Sequence, residues 1–74
     1  MEGLKKRSVN LAGHATSLAL EAEFWGVLED QAKANGVSLA ALIRHIDAAR
    51  GPRPLASACR LAALAFVRGG DSAD

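Results

Sequence analysis

Residues 14–50, HATSLALEAEFWGVLEDQAKANGVSLAALIRHIDAAR, contain the pattern that decides the fold. Polar and apolar residues alternate over residues 15–20, which favours a strand with Leu18 and Leu20 on its buried face. Two amphipathic segments follow, and Asn-Gly-Val-Ser at residues 35–38 separates them. Because one strand cannot form a sheet by itself, we expect the missing strand to come from a second chain. The sequence therefore predicts a homodimer.

The two amphipathic segments predict helices over residues 21–35 and 38–50, with a glycine at the left-handed stop position after the first. A Gly-Pro-Arg-Pro link then ends the second helix, and a third helix is predicted over residues 55–68. Its apolar side should pack on the dimer body. The residues that define this side are Leu55, Cys59, Ala62 and Phe66, with Leu61 and Leu64 beside them. Before the strand, residues 7–11 also alternate and favour an extended conformation, and Gly13 suits a bend or a bulge.

Composition limits what a chain of this size can be. It has 74 residues, half of them hydrophobic, so we expect two chains to share one core. The single cysteine, Cys59, allows no intrachain disulfide and favours a reducing compartment. No apolar run reaches the length of a membrane span, and no apolar signal core follows the charged start. We therefore expect a cytoplasmic protein that makes no contact with a membrane.

Charge is unevenly distributed, although the net charge is only +1. Lys5, Lys6 and Arg7 stand together near the start, where they either contact phosphate or form a solvated N-terminus. We divide the chain into a flexible basic arm, one domain with the extra C-terminal helix, and a disordered acidic tail: residues 1–5, 6–68 and 69–74.

Three motifs occur in a fixed order: Thr16-Ser17-Leu18-Ala19-Leu20-Glu21, then Phe24-Trp25 with Leu28, then Gly36-Val37-Ser38-Leu39-Ala40-Ala41-Leu42-Ile43. In this order they resemble the ribbon-helix-helix family, the fold of the Arc and methionine repressors. Further segments are similar to a group of short bacterial members with an added C-terminal helix: Lys6-Arg7-Ser8-Val9, Ala12-Gly13-His14, Ile46-Asp47-Ala48 and Ser57-Ala58-Cys59-Arg60-Leu61. The resemblance implies a mainly α fold with one β-strand per chain, in an intertwined homodimer.

In that family, two chains pair their strands into a ribbon that enters the major groove of DNA. The resemblance implies a transcriptional regulator that binds double-stranded DNA, with Ala15, Ser17 and Ala19 facing the bases. The expected dimer core consists of Leu18, Leu20, Phe24, Trp25, Leu28, Leu42, Ile43 and Ile46. The expected phosphate contacts are Lys5, Lys6, Arg7, Ser38, Leu39 and Ala40.

The start of the second helix is also predicted to hold phosphate on physical grounds. A helix start presents free N–H donors and a partial positive charge. Glu21 and Glu23 neutralise the first helix, whereas no acid follows Ser38 in the first turn of the second. The simpler role of Ser38 is to cap its own helix, and both roles are compatible.

Ala15, Ser17 and Ala19 offer few hydrogen bonds to base edges, so two interpretations stay open. The protein binds DNA mostly through backbone contacts, with strong salt sensitivity and weak selectivity. Alternatively, it is a protein-interaction module on the same dimer fold that has lost DNA reading. An antitoxin-type regulator is disfavoured, because residues 69–74 are too few to fold onto a toxin.

The sequence contains no nucleophile beside a base and no phosphate-cradling glycine loop, so we expect no enzyme and no cofactor. His14, His45 and Cys59 match no metal-binding spacing, and a metal site is not expected. His14 is predicted to fix a turn, and the alternative is an approach to a phosphate or a base edge beside the ribbon. Arg44 is predicted either to reach the nucleic-acid backbone or to be a solvated arginine, with Asp47 as a candidate partner.

Overall fold

The computed structural model describes residues 3–71 and contains a two-stranded sheet followed by three helices. The elements are β1 (Leu4–Leu11), β2 (His14–Glu21), α1 (Ala22–Asn35), α2 (Leu39–Ala49) and α3 (Leu55–Asp71). The helices begin and end close to the predicted bounds, except that α3 continues to Asp71, into the predicted tail. The rest of that tail, residues 72–74, and the first two residues of the predicted arm lie outside the described residues.

The prediction of one strand per chain is wrong. β1 and β2 pair antiparallel within a single chain, from Leu4 opposite Glu21 to Leu11 opposite His14. β1 also includes Lys5, which we had predicted to lie in the flexible arm. The ribbon is therefore complete in one polypeptide, and the argument that a second chain must supply a strand no longer holds.

A two-residue turn, Ala12-Gly13, joins the strands. The φ angles are 53° at Ala12 and 90° at Gly13, and both are positive, as in the tight turns that suit the twist of a hairpin. The amide N–H of Gly13 donates to Oδ1 of Asn10 at 3.1 Å. An alanine in this left-handed region is unfavourable by about 1–2 kcal/mol, because its Cβ crowds the following carbonyl oxygen.

Replacing Ala12 with asparagine should stabilise the hairpin, because asparagine tolerates a positive φ better than alanine. We expect the free energy of unfolding to rise by about 0.5–1 kcal/mol, which is part of the strain that left-handed alanine carries. Urea denaturation followed by circular dichroism measures the change. Ala15→Asn, at an exposed strand position, is the control and should give no gain. A loss of stability in Ala12→Asn would contradict this account of the turn.

The end of α1 follows the prediction. Gly36 adopts a left-handed conformation with a φ of 70°. Its N–H donates to the carbonyl oxygen of Lys33 at 3.1 Å, and the N–H of Val37 donates to that of Ala32 at 3.0 Å. These bonds satisfy carbonyl groups that the helix leaves open at its end. The chain then leaves α1 in a direction that lets α2 pack beside it.

The core lies between the inner face of the ribbon and the three helices. Its ribbon residues are Val9, Leu11, Leu18 and Leu20. Its helical residues are Trp25, Leu28, Ala32, Leu42, Ile43, Cys59 and Ala63. Six of the eight residues predicted for a dimer core are buried in one chain, while Phe24 and Ile46 are partly buried against this core. A core shared between two chains stays a prediction.

The buried face of α3 is narrower than the sequence predicts. Ala58, Cys59 and Ala63 are buried, whereas Leu61 and Leu64 remain 45% and 47% exposed. Small side chains let α3 approach the other elements closely, and the larger leucines point away. Among residues 3–71, no helix is long and apolar enough to cross a membrane.

Candidate nucleic-acid interface

The register of the ribbon determines which side chains share its outer surface. Residues directly opposite each other on antiparallel strands point to the same face, and successive residues point to opposite faces. The three predicted base-facing residues each have a partner on β1. Ala15 pairs with Asn10, Ser17 with Ser8, and Ala19 with Lys6. All of them are exposed except Ala19, which is half-buried. We call the central part of this surface the outward face; it consists of Lys6, Ser8, Asn10, Ala15, Ser17 and Ala19. The last pair of the register, Leu4 and Glu21, lies on the same side at the end of the ribbon.

Half of the outward face comes from β1, where the sequence predicted only Lys6 as a DNA contact, to phosphate, and assigned no role to Ser8 and Asn10. Lysine and asparagine are among the side chains that read base edges. The outward face therefore has more hydrogen-bonding groups than the residues of β2 alone provide. The available signal was the polar residue at every second position, at Lys6, Ser8 and Asn10. That signal is informative only once β1 is known to pair with β2, because pairing places both sets on one face.

Lys5, Lys6 and Arg7 do not form a single basic patch, because alternation along β1 separates them. Lys6 belongs to the outward face, whereas Lys5 and Arg7 lie on the opposite side. The Arg7 guanidinium lies 4.6 Å from the centre of the Trp25 ring. Its Nη1 donates to Oε2 of Glu29 at 2.9 Å. The indole N–H of Trp25 donates to the Lys5 carbonyl oxygen at 2.8 Å, so these contacts attach β1 to α1.

A second arginine joins α3 to the end of β2. Nε of Arg60 donates to Oε1 of Glu21 at 2.9 Å, and its guanidinium lies 5.8 Å from the Phe24 ring centre. The hydrogen bond from Arg60 holds the pKa of Glu21 below its ordinary value of 4.5. The Glu21 carboxylate therefore binds α3, although we had predicted that it would neutralise the start of α1. Glu23 is the acid in the first turn of α1.

The start of α2 is capped by its own serine and carries no neutralising acid. Oγ of Ser38 accepts from the amide N–H of Ala41 at 3.0 Å, so the predicted cap is confirmed. The first turn carries no acid. The amide groups of Leu39 and Ala40 are among those that have no acceptor within a helix. The local charge and the free donors are therefore suited to an anion.

The remaining predicted polar residues take structural or exposed positions. Asn10, not His14, holds the turn. Asp47 pairs with Nε of Arg50 at 2.7 Å. The predicted pair between Asp47 and Arg44 is therefore wrong. Among residues 3–71, no three histidine, cysteine, aspartate or glutamate side chains lie close enough together to hold a metal ion.

Cys59 is fully buried in the core. Desolvation raises the pKa of its thiol from 9.0 to about 11, with a smaller contribution from Asp47 and an opposing one from Arg60. A buried thiol with a raised pKa is a poor nucleophile, since the thiolate is the reactive form. Cys59 therefore acts as a small apolar residue in the packing of α3.

The comparisons with known proteins agree with this fold. Residues 4–67 match the family described as "Ribbon-helix-helix domain". The chain therefore belongs to the ribbon-helix-helix domain family, as the resemblance predicts. Members of this family generally bind DNA as transcription regulators and typically form homodimers. No curated protein matches the chain.

Among solved structures, the chain is similar to an uncharacterized protein from Bordetella pertussis Tohama I. The TM-score is 0.79, with 27% sequence identity over 97% of this chain. This chain spans 62% of the length of that protein. The likeness supports the arrangement of ribbon and helices.

Proposed function

We propose that the protein is a homodimeric, cytoplasmic transcriptional regulator that inserts its two-stranded ribbon into the major groove of DNA. The observation that carries this proposal is the outward face, an exposed two-stranded surface with hydrogen-bonding side chains at Lys6, Ser8, Asn10 and Ser17. The major groove is about 12 Å wide and admits a two-stranded ribbon. The two strands of one chain lie about 4.8 Å apart, so their backbones fit within that width.

Contacts to the DNA backbone come from two groups of residues. The first is the cationic start of β1, where Lys5 brings positive charge to the edge of the ribbon, beside Lys6 on the outward face. The second is the start of α2, where the amide groups around Ser38, Leu39 and Ala40 hold a phosphate. Arg7 contributes mainly by positioning β1, since its guanidinium already contacts Trp25 and Glu29. Phosphate contacts fix the ribbon in the groove, and base contacts add selectivity.

Duplex binding tests the proposal directly. Fluorescence anisotropy of a labelled duplex should show binding at low salt, and log Kd should change with log salt by about 0.9 for each phosphate contacted. Ser17→Glu places a carboxylate in the middle of the outward face and should weaken binding by roughly tenfold or more. Ala34→Glu adds the same charge on an exposed helical position and serves as the control. No binding by the wild type at low salt would reject the proposal.

We place the dimer contact on the helices. Two ribbons joined edge to edge would span about 14 Å of backbone, which is three strand spacings and exceeds the groove width of about 12 Å. An apolar groove between α1 and α2 is lined by Val37, Leu42 and Ile46 among others. Val37 is 39% exposed there, and Oε1 of Gln31 is buried without a hydrogen-bond partner among the described residues. A second chain packed on this groove would cover the apolar side chains.

Sedimentation equilibrium at micromolar concentration should give the mass of two chains. Val37→Glu should shift the mass towards one chain, because it places a charge in the proposed contact. Leu61→Glu, on the exposed side of α3, is the matched control and should leave the mass unchanged. A wild-type mass equal to one folded chain would refute the dimer.

The exposed side of α3 favours a second candidate function, a protein-interaction module on the same fold. Leu61, Leu64 and Val67 are each about half exposed and follow one another at helical spacing. Such a stripe on a small protein is suited to a protein partner. The duplex titration separates the two candidates, since a module that has lost DNA reading leaves the duplex unbound at every salt concentration.

A further inference from the structure

We infer that β1 is the strand that reads the DNA sequence, with Lys6 recognising guanine and Asn10 donating a hydrogen bond to an acceptor on a second base. This inference rests on the proposed function and names the side chains that would choose the site. It reverses the expectation from the sequence, which assigned base contacts to β2 alone.

The first support is the pairing of unlike side chains across the ribbon. Lys6 lies opposite Ala19, and Asn10 lies opposite Ala15. On the outward face, β1 therefore carries long polar side chains where β2 carries methyl groups. The hydrogen-bonding groups of β1 extend further from the ribbon, while the alanines of β2 leave the base edges room to approach. A methyl group can contact the methyl of thymine, but it cannot form the paired hydrogen bonds that discriminate bases.

The second support is the state of Lys6. Among residues 3–71, no carboxylate lies within ion-pair distance of Lys6, whereas Arg7 next to it is paired with Glu29. Its side chain is exposed on the outward face. A lysine can donate to both O6 and N7 of guanine in the major groove. The ammonium group is therefore available for a guanine edge at the position where it would enter the groove.

The third support is the orientation of Asn10. Its Oδ1 already accepts from the Gly13 amide at 3.1 Å, so the turn orients the side chain. The amide nitrogen, a donor, remains for the DNA. An oriented side chain loses less conformational entropy on binding than a free one. The geometry thus selects a base that presents an acceptor.

The spacing of the two residues predicts the spacing of the two bases. Lys6 and Asn10 are four residues apart on an extended strand, which corresponds to about 13 Å. With about 3.4 Å between successive base pairs, this length covers about four base pairs. We therefore expect a guanine and a second acceptor base separated by about that interval.

Selection from a pool of duplexes with a randomised central segment tests the inference without knowledge of the natural site. The wild type should enrich a motif that contains guanine. Lys6→Ala should lose the guanine preference by roughly 5- to 150-fold, and Lys6→Arg should keep it. Lys33→Ala removes the same charge from an exposed position in the last turn of α1 and should leave the motif unchanged.

Asn10→Asp is the sharper variant at the second position. It retains an oxygen to accept from Gly13, so the turn is kept, but it replaces the donor with an acceptor. The preferred base should change to cytosine, whose N4 amino group donates in the major groove. Circular dichroism of each variant checks that the fold is retained.

The outcomes separate this inference from the proposed function. Duplex binding with the same motif for the wild type, Lys6→Ala and Asn10→Asp would overturn the reading role of β1 and leave DNA binding intact. Duplex binding by the wild type with no enriched motif would also overturn it. Absence of wild-type binding in the anisotropy titration would instead reject the proposed function.

Discussion

Replacing Trp25 with alanine should lower the free energy of unfolding by about 3–5 kcal/mol, the range for a large aromatic residue lost from a core. Trp25 is only 2% exposed and belongs to the set of fully buried large side chains. Its ring lies under the Arg7 guanidinium, and its indole N–H binds the backbone of Lys5. The substitution therefore removes core volume and also two of the contacts that attach β1 to α1. Because small domains have little stability to lose, we expect a chain that is largely unfolded at 25 °C.

Urea denaturation of two further variants separates these contributions. Trp25→Phe keeps most of the apolar volume but removes the hydrogen bond from the indole N–H to the Lys5 carbonyl oxygen, so it should lower stability by about 0.5–1.5 kcal/mol. Phe24→Ala removes a neighbouring aromatic residue that is only half-buried, and its effect should be smaller than that of Trp25→Ala. Equal losses at the two aromatic positions would show that Trp25 has no special role in holding the ribbon.

Ending the chain after Arg50, which removes α3, should abolish cooperative unfolding. α3 packs against α1, α2 and β2, and its buried residues Cys59 and Ala63 contribute to the core. It also carries Arg60, the partner of Glu21 at the end of β2. In a domain of this size, each kcal/mol lost lowers Tm by about 4–8 °C, so removal of a whole core element leaves no folded chain at ordinary temperature.

Thermal unfolding followed by circular dichroism measures this effect. A chain ended after Asp71 is the matched control, since it is also shortened but keeps all of α3, and its Tm should stay close to that of the full chain. If the chain ended at Arg50 melted at the same temperature as the full one, α3 would have to be independent of the core.

Local signals predicted the helices well. Gly36 and Ser38 mark the end of α1 and the start of α2, because a left-handed stop and an N-cap depend on a few adjacent residues. β2 was also predicted from a local pattern, the alternation of polar and apolar residues around Leu18 and Leu20. The half of the candidate site on β2 was predicted for this reason, whereas on β1 only Lys6 was predicted, as a phosphate contact.

Residues 7–11 were predicted to be extended, but the pairing of β1 with β2 and the start of β1 at Leu4 were not predicted, for two physical reasons. The turn after β1 is Ala12-Gly13, without the Asn-Gly or Asp-Gly pair that usually indicates a hairpin. In addition, two of the residues on the inner face of β1, Lys5 and Arg7, are charged. The first half of β1 therefore lacks the alternation of polar and apolar residues that indicates a half-buried strand. Arg7 is accommodated there because its guanidinium lies over an aromatic ring and meets a carboxylate, a long-range arrangement that no local pattern reveals.

The buried side of α3 could not be predicted from hydrophobicity. Sequence reasoning placed Leu61 and Leu64 beside the buried side, but the structure buries Ala58 and Ala63 and exposes the leucines. Exposure of an apolar residue is common in folded proteins, so hydrophobicity alone does not identify the inner side of a helix that is apolar nearly all round. Close packing against neighbouring elements decided the orientation in favour of small residues.

The link of only two residues between β1 and β2 has a kinetic consequence. Contacts between residues so near in sequence close in microseconds, and no diffusional encounter of two polypeptides is required. Assembly of the ribbon is thus a first-order event whose rate is independent of dilution. A nascent chain can complete it alone, before it meets any other copy.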